Sequence, residues 1–457
     1  MSRAGKYFPV IFVLPFLLAT TDLDLLKQTS EVFRWVVLFV ALGWAFSKTF
    51  SSGFRHESGI LTPDVIIVAV LIYFSVSTVW SIAPAYSFQR TVSLGLLYIA
   101  TFWCFWHYVD QRGEERLLQL FLRTSGIVLG VNIVIFGVLS SGDVLALRFQ
   151  GFFANPNNLG LICSLSLPLS LAAVFKRPGK FEWVLFGIFT ASLLACGSRT
   201  GLVASGIGMF IIGALRVIRG NRLALLFGVL VIVFLGVLSA SRFFDEKVLR
   251  IDSLSTLSDR TFFWELAKEE YIRARPLLGH GFGADNLIHD YYGIVLEDVN
   301  LRGYGVASSY YGLAVSVGVP GAILFCLLIA SAPLVALVRF RRKPQIVTLA
   351  ATVVAGLLVG ITESAIFSAG NCFAYLFWTV FALLIRRLVY QNRRIRLTRQ
   401  GALLTRQGAL RGRKRRGVPG FAGSKKSGVG WRRALQLTRN TVSFLGRNEN
   451  SSHSSNS

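Results

Sequence analysis

The sequence predicts an all-α integral membrane protein of about 12 transmembrane helices, with one long extracytoplasmic loop between the ninth and tenth. Three observations carry this expectation. First, 53% of the 457 residues are apolar and only 16% are charged, too little charge to cover a soluble chain of this length. Second, apolar runs of about 17–25 residues recur, the length that crosses a hydrocarbon core of about 30 Å. Third, Lys and Arg fall on alternate short connections, the pattern that orients multi-pass helical proteins.

The candidate spans are 7–21, 32–47, 64–81, 91–107, 118–139, 156–175, 182–197, 200–216, 222–240, 309–338, 345–361 and 371–388. The first and seventh are short and open to a tilted or re-entrant reading. Basic connections lie at Lys48/Arg55, Lys176/Arg177/Lys180, Arg216/Arg219/Arg222 and Arg339/Arg341/Arg342/Lys343. They share a side with both termini, which the positive-inside rule makes cytoplasmic. The opposite side carries TDLDLLKQTSE, WSIAPAYS, the Arg148 loop, the Arg199 turn, residues 241–307 and ITESAIFSAGN. The N-terminal MSRAGKYFPVIFVLPFLLAT begins like a signal peptide but has no small-x-small cleavage site, and reads as a retained first helix.

The chain therefore divides into helices 1–9 (1–240), the extracytoplasmic loop (241–307), helices 10–12 (308–388) and a tail (389–457). The net charge of +25 comes largely from the tail: residues 386–457 hold 18 Lys and Arg against one acid, Glu449. With its repeated LTRQGAL (397–403, 404–410) and Ser/Asn-rich end, the tail reads as a disordered basic arm. It anchors topology and touches anionic lipid; nucleic-acid binding is not expected. Cys104, Cys163, Cys196, Cys326 and Cys372 lie in or beside apolar segments without paired spacing, which fits neither a disulfide framework nor a zinc site.

The loop at 241–307 holds 8 basic and 11 acidic residues. A long acidic insert facing away from a basic side is the first place to look for function. Within it, Ser258 or Asp259 can cap a helix reaching about Ala274 and stopped by Pro276. Arg260, Trp264, Ala267 and Tyr271 share one face of that helix. Two readings stand: an amphipathic helix lying on the bilayer, or an anion site with Arg260 at the positive helix start. GHGFG (279–283) either exposes amides to a phosphate or makes a tight turn back to the membrane. His280 and His289, with Asp285 and Asp290, are the candidate proton acceptors.

Elsewhere, Arg199 sits between two apolar spans, where a charge must face a cavity, snorkel to lipid or find an anion. Gly197, Ser198 and Thr200 leave room around it. In RFQGFFANPNNLG (148–160), Asn155 caps the next span and Pro156 starts it. Arg148, Asn157 and Asn158 add donors and acceptors for sugar hydroxyls or a phosphate.

The ordered set VWSIAPAYSFQR (79–90), RFQGFFANPNNLG (148–160), GSRTG (197–201), DRTFFWELAKEEYIRARPLLGHGFG (259–283) and SVGVPGAILF (316–325) resembles the O-antigen ligase and polymerase superfamily of bacterial membrane proteins. The resemblance implies a helical membrane glycosyltransferase of the bacterial inner membrane that needs no metal or cofactor. Its substrates would be an undecaprenyl-diphosphate-linked glycan and an acceptor glycan or lipid, met at the periplasmic face. Membrane lipids and other polysaccharide-assembly proteins are the further partners implied. By motif, Arg199 and Arg260 would hold the diphosphate, with Arg148, Asn157, Asn158 and Trp264 around the substrate. The expected activity is polymerisation of exopolysaccharide or O-antigen repeat units. Ligation of a finished glycan and transport of lipid-linked glycans are the alternatives. The sequence departs from the family in VASSYYGLAVSVGVPG, where Ser308 and Ser309 stand in place of an expected His and Asn. Either another group, such as His280, His289, Asp285 or Asp290, then takes the base role, or the mechanism differs, or the activity is lost.

Overall fold

The computed structural model describes residues 4–18, 24–52, 62–139, 149–217, 260–293 and 305–392. Among them every regular element is helical, as apolar segments that must satisfy their own backbone polar groups in lipid require. The helices are α1 (Ala4–Leu18), α2 (Asp24–Ser52), α3 (Thr62–Val76), α4 (Pro84–Arg112), α5 (Glu114–Leu139), α6 (Pro156–Lys176), α7 (Lys180–Cys196) and α8 (Arg199–Val217). They continue with α9 (Arg260–Leu266), α10 (Ser309–Arg339), α11 (Pro344–Thr362) and α12 (Cys372–Asn392).

Eight of these helices are long and apolar enough to cross a bilayer, and each coincides with an expected span. The expected spans 7–21, 64–81 and 182–197 correspond to shorter helices, α1, α3 with its tight continuation to Trp80, and α7. The expected span 222–240, Arg148, the loop segments 241–259 and 294–304, and the tail from residue 393 lie outside the described residues. Among the described residues, eight long helices and three shorter ones fall on expected spans.

Small residues set the helix crossings. α6 is buried over most of its length, and a methyl on Gly201 of α8 would come within 2.8 Å of the Gly160 carbonyl of α6. A methyl on Gly208 would meet Pro168 of α6 at 2.9 Å and the Ala351 carbonyl of α11 at 3.3 Å. Backbones this close gain dispersion contacts that lipid cannot supply, so glycine at the crossing brings α6, α8 and α11 together. Leu171, Ala172, Phe175, Ile212 and Ala351 pack the space between them. Outward faces stay apolar and exposed, for example Phe33, Val36 and Val40 on α2 and Leu324, Leu327 and Leu334 on α10, as a lipid-facing surface requires.

Polar contacts gather at the two ends of this bundle. At one end Glu115 pairs with Lys176 and Arg177, Glu114 with Arg387, and Asp110 with Arg386. Lys176 and Arg177 belong to a connection that the sequence places on the basic side. The other end collects the starts of α6, α8, α9 and α10, the end of α11, and the described part of the long loop.

α10 is broken at Gly318, whose φ of 76° and ψ of 164° are not helical. The break frees backbone groups that would be orphaned in a membrane protein, and the 276–283 loop takes them up. Val319 N–H donates to the Pro276 carbonyl at 2.8 Å, while His280 N–H and Gly281 N–H donate to the carbonyls of Val315 and Ser316, each at 2.9 Å. The glycines of GHGFG serve this contact. Gly279 has φ 67° and Gly281 φ 99°, and a methyl on Gly279 would lie 2.5 Å from the Ser316 carbonyl.

A methyl on Gly318 would lie 2.1 Å from the Leu277 carbonyl oxygen. Gly318→Ala should therefore destabilise the protein by roughly 2–4 kcal/mol through backbone strain and overpacking. Gly43→Ala, where the methyl meets nothing within 4 Å, should leave stability unchanged or slightly raised. Thermal unfolding of the two variants in detergent, followed by tryptophan fluorescence, checks the contrast.

Candidate functional site

Four helix ends meet around one carboxylate. Glu363 follows the last residue of α11 in an extended conformation (φ −137°, ψ 133°), which turns it out of the helix. Its Oε1 accepts a hydrogen bond from Arg260 Nη2, at the first residue of α9, and one from Asn157 Nδ2 in the first turn of α6, at 3.4 Å. Arg260 Nη1 also reaches Thr200 Oγ1 of α8 at 3.5 Å, and Thr200 shares a 2.7 Å hydroxyl contact with Thr362. The Arg260 and Glu363 side chains are 20% and 17% exposed, so the pair is shielded from bulk water yet reachable.

Local sequence explains each position. Asn155 caps α6 by accepting from Asn157 N–H at 2.7 Å, and Pro156 follows at the first helical position, where a missing N–H does no harm. Gly197 ends α7 in the left-handed region (φ 58°), which reverses the chain so that Arg199 and Thr200 open α8 at the same end. Ser308 caps α10, accepting from Tyr311 N–H at 3.4 Å. Ser309 then fixes the Glu363 turn: its Oγ donates to the Glu363 carbonyl at 2.6 Å and accepts from Ala365 and Ile366 N–H, each at 3.1 Å.

The expected substrate-binding residues thus divide. Asn157 and Arg260 converge on Glu363, and Arg199, half-buried, is the chain neighbour of Thr200. Asn158 is half-buried in the same first turn of α6. Trp264 stacks on Tyr311 with ring centroids 5.9 Å apart, and its Nε1 donates to the Ala307 carbonyl at 3.4 Å. Its aromatic face therefore packs on the start of α10.

The four expected proton acceptors lie elsewhere. His280 is completely buried. Its Nδ1 faces the Val315 carbonyl at 3.1 Å and so carries the hydrogen, which leaves Nε2 to accept from Tyr292 Oη at 2.9 Å. Burial, helped by nearby Arg275, lowers its pKa from the ordinary 6.5. His280 is thus a neutral ring locked into the loop beneath the break in α10. His289 is buried too, with Nδ1 2.7 Å from Tyr271 Oη and its ring against Phe263. Asp285 packs against α10 on another face, accepting from Ser316 Oγ at 3.3 Å, and burial raises its pKa against the pull of Arg90. Asp290 is exposed. None of the four has a hydrogen bond or ion pair to Arg260, Asn157 or Thr200 among the contacts described above.

Glu363 is the residue that the sequence reading passed over. Its signal was the same as that of Arg199: a single charge between two apolar spans. ITESAIFSAGN was recognised only as a short connection on the same side as the long loop.

The family model for O-antigen ligase matches residues 184–326. That stretch carries the O-antigen ligase/polymerase superfamily resemblance expected from the sequence. It runs from within α7 to the middle of α10, and so contains Arg199, Arg260, Trp264, both loop histidines and Ser308, but neither Asn157 nor Glu363. No curated protein matches the chain. The match makes residues 184–326 similar to O-antigen ligases, a family whose name implies glycan transfer, and the chain around it supplies helices long and apolar enough to cross a membrane.

The geometry of His280 has a pH consequence. Its lowered pKa means that the folded loop binds a proton less readily than the unfolded one. The stability it confers is therefore full above pH 6.5 and lost as pH falls below that value toward the folded pKa. Asp285, with its raised pKa, acts in the opposite sense. The protection factors of the Gly281 and Val319 amides, measured against intrinsic exchange at each pH, should fall on acidification through this window, and a His280→Asn variant should lose that fall.

Proposed function

We propose that the protein polymerises undecaprenyl-diphosphate-linked repeat units of an exopolysaccharide or O-antigen at the periplasmic face of the bacterial inner membrane. The observation that carries this reading is the convergence of Arg260 and the start of α8, with Arg199, at the end of the bundle where the long loop docks. Breaking the bond between a sugar C1 and a lipid diphosphate leaves a negative charge on the diphosphate. Guanidinium groups held in a water-poor setting stabilise that charge as it forms, and their planar fork suits phosphate oxygens. The helix starts of α6 and α8 add the positive ends of their dipoles to the same region.

Ser308 and Ser309 stand where ligases and many polymerases of this superfamily carry His and Asn, a departure that counts more against the ligase because the polymerases are more variable. The description of the matched family, O-antigen ligase, favours ligation of a finished glycan as the second reading. The two differ in acceptor, a second carrier-linked unit or a different lipid, and share the diphosphate hold.

A deletion in the native host separates them. Loss of a polymerase leaves single repeat units on surface lipid, while loss of a ligase leaves long glycan on the carrier. Trapping of repeat units on the cytoplasmic leaflet would instead indicate transport. Complementation with Arg260→Gln or Arg199→Gln should lower glycan output by about 100-fold or more, the scale expected when one charge-stabilising donor is removed. Arg260→Lys should restore only part of it, since lysine lacks the fork. Normal glycan from either glutamine variant, at normal protein level, rejects the diphosphate assignment.

A further inference from the structure

The resting contacts of Arg260 raise a question about the site. The guanidinium assigned to the diphosphate is engaged by Glu363, which also holds Asn157. An ionised carboxylate and a diphosphate compete for one cation, so binding of the lipid diphosphate must loosen this pair.

We propose that Glu363 is the substrate-released general base of the reaction, an inference that rests on the reading of Arg260 as a diphosphate ligand. In the resting site Arg260 is the counter-ion of Glu363. When the lipid diphosphate takes Arg260, the carboxylate loses its counter-ion and gains an anionic neighbour. Both changes raise its affinity for a proton. Glu363 then accepts the proton of the acceptor hydroxyl as that oxygen forms a bond to the sugar C1. The C1–O bond to the diphosphate breaks, and its electron pair leaves with the diphosphate, held by Arg260. The proton on Glu363 passes to solvent once the lipid diphosphate departs and Arg260 is recovered.

The structure supports the assignment in three ways. Glu363 stands beside the cation assigned to the leaving group. Its side chain is partly exposed where His280 is completely buried, so an acceptor hydroxyl can reach it. Its backbone is fixed by Ser309 through the Glu363 carbonyl and the following amides, which holds the carboxylate in place after the ion pair opens.

The test measures binding and turnover separately on the full-length protein. Undecaprenyl diphosphate is the binding probe, titrated against protein in nanodiscs. Turnover is the glycan formed in host membranes, read as kcat and KM for the carrier-linked substrate. Glu363→Gln should bind undecaprenyl diphosphate as tightly as the unaltered protein or a few-fold tighter, because the competing carboxylate is gone. Its kcat should fall at least 100-fold with KM little changed, and Glu363→Asp should keep part of the activity. Near-normal kcat in Glu363→Gln would overturn the proposal. Loss of probe binding together with turnover would also overturn it, assigning Glu363 to the positioning of Arg260. Failure of the unaltered protein to bind the probe would instead strike at the diphosphate reading itself.

Discussion

The break in α10 at Gly318 is the constraint from which the extramembranous end of the bundle follows. An interrupted helix leaves carbonyls and amides without partners, and lipid offers none. Here the partners are the Pro276 carbonyl and the amides of His280 and Gly281, so the loop has one place to dock. Tyr73 of α3 adds its hydroxyl to the Val317 carbonyl at 3.0 Å. The buried His280 ring ties the same carbonyl, Val315, to Tyr292 further along the loop. Once this register is set, Ala267, Tyr271, Ile288, Val306 and Val315 close into a small apolar core. α9, which precedes that core in sequence, is then directed across the starts of α8 and α10.

Arg260 reaches Glu363 only because two independent pieces of packing agree. One is the loop core, which aims α9. The other is the close crossing of α6, α8 and α11 at glycines, which brings Asn157, Thr200 and Glu363 to a common level. A larger residue at Gly201 would meet the Gly160 backbone and separate α8 from α6, and would move Thr200 away from Thr362 although both hydroxyls are themselves untouched. The groups around Glu363 are therefore sensitive to changes well inside the bundle, where no polar residue is involved.

Much of the fold was legible from the sequence because a membrane span is a one-dimensional signal: length and apolarity suffice. Arg260 and Asn157 stand out in the sequence because each begins a helix and carries a group whose chemistry has few uses there. The sequence does not show how His280 is held. A histidine between glycines in a polar loop looks solvated and available, and nothing in GHGFG shows that a helix 35 residues further on will break and need its amides. Glu363 was missed for the converse reason. Its partners Arg260 and Asn157 lie 103 and 206 residues away in the chain, and their convergence is something that spacing alone does not encode.

Ser308 and Ser309 bring these threads together. A hydroxyl has one hydrogen to give and two lone pairs to accept with. Ser309 gives its hydrogen to the Glu363 carbonyl and accepts from the amides of Ala365 and Ile366, so it has no lone pair left for a substrate proton. Ser308 is likewise used, capping α10 and donating to the Gly360 carbonyl at 3.4 Å. The positions at which the superfamily resemblance leads one to expect a histidine and an asparagine are occupied here by the residues that hold the Glu363 turn against α10. The missing histidine and the present glutamate can then be understood as one change. If the proton acceptor has moved from the start of α10 to the end of α11, the vacated positions are the ones best placed to anchor its replacement.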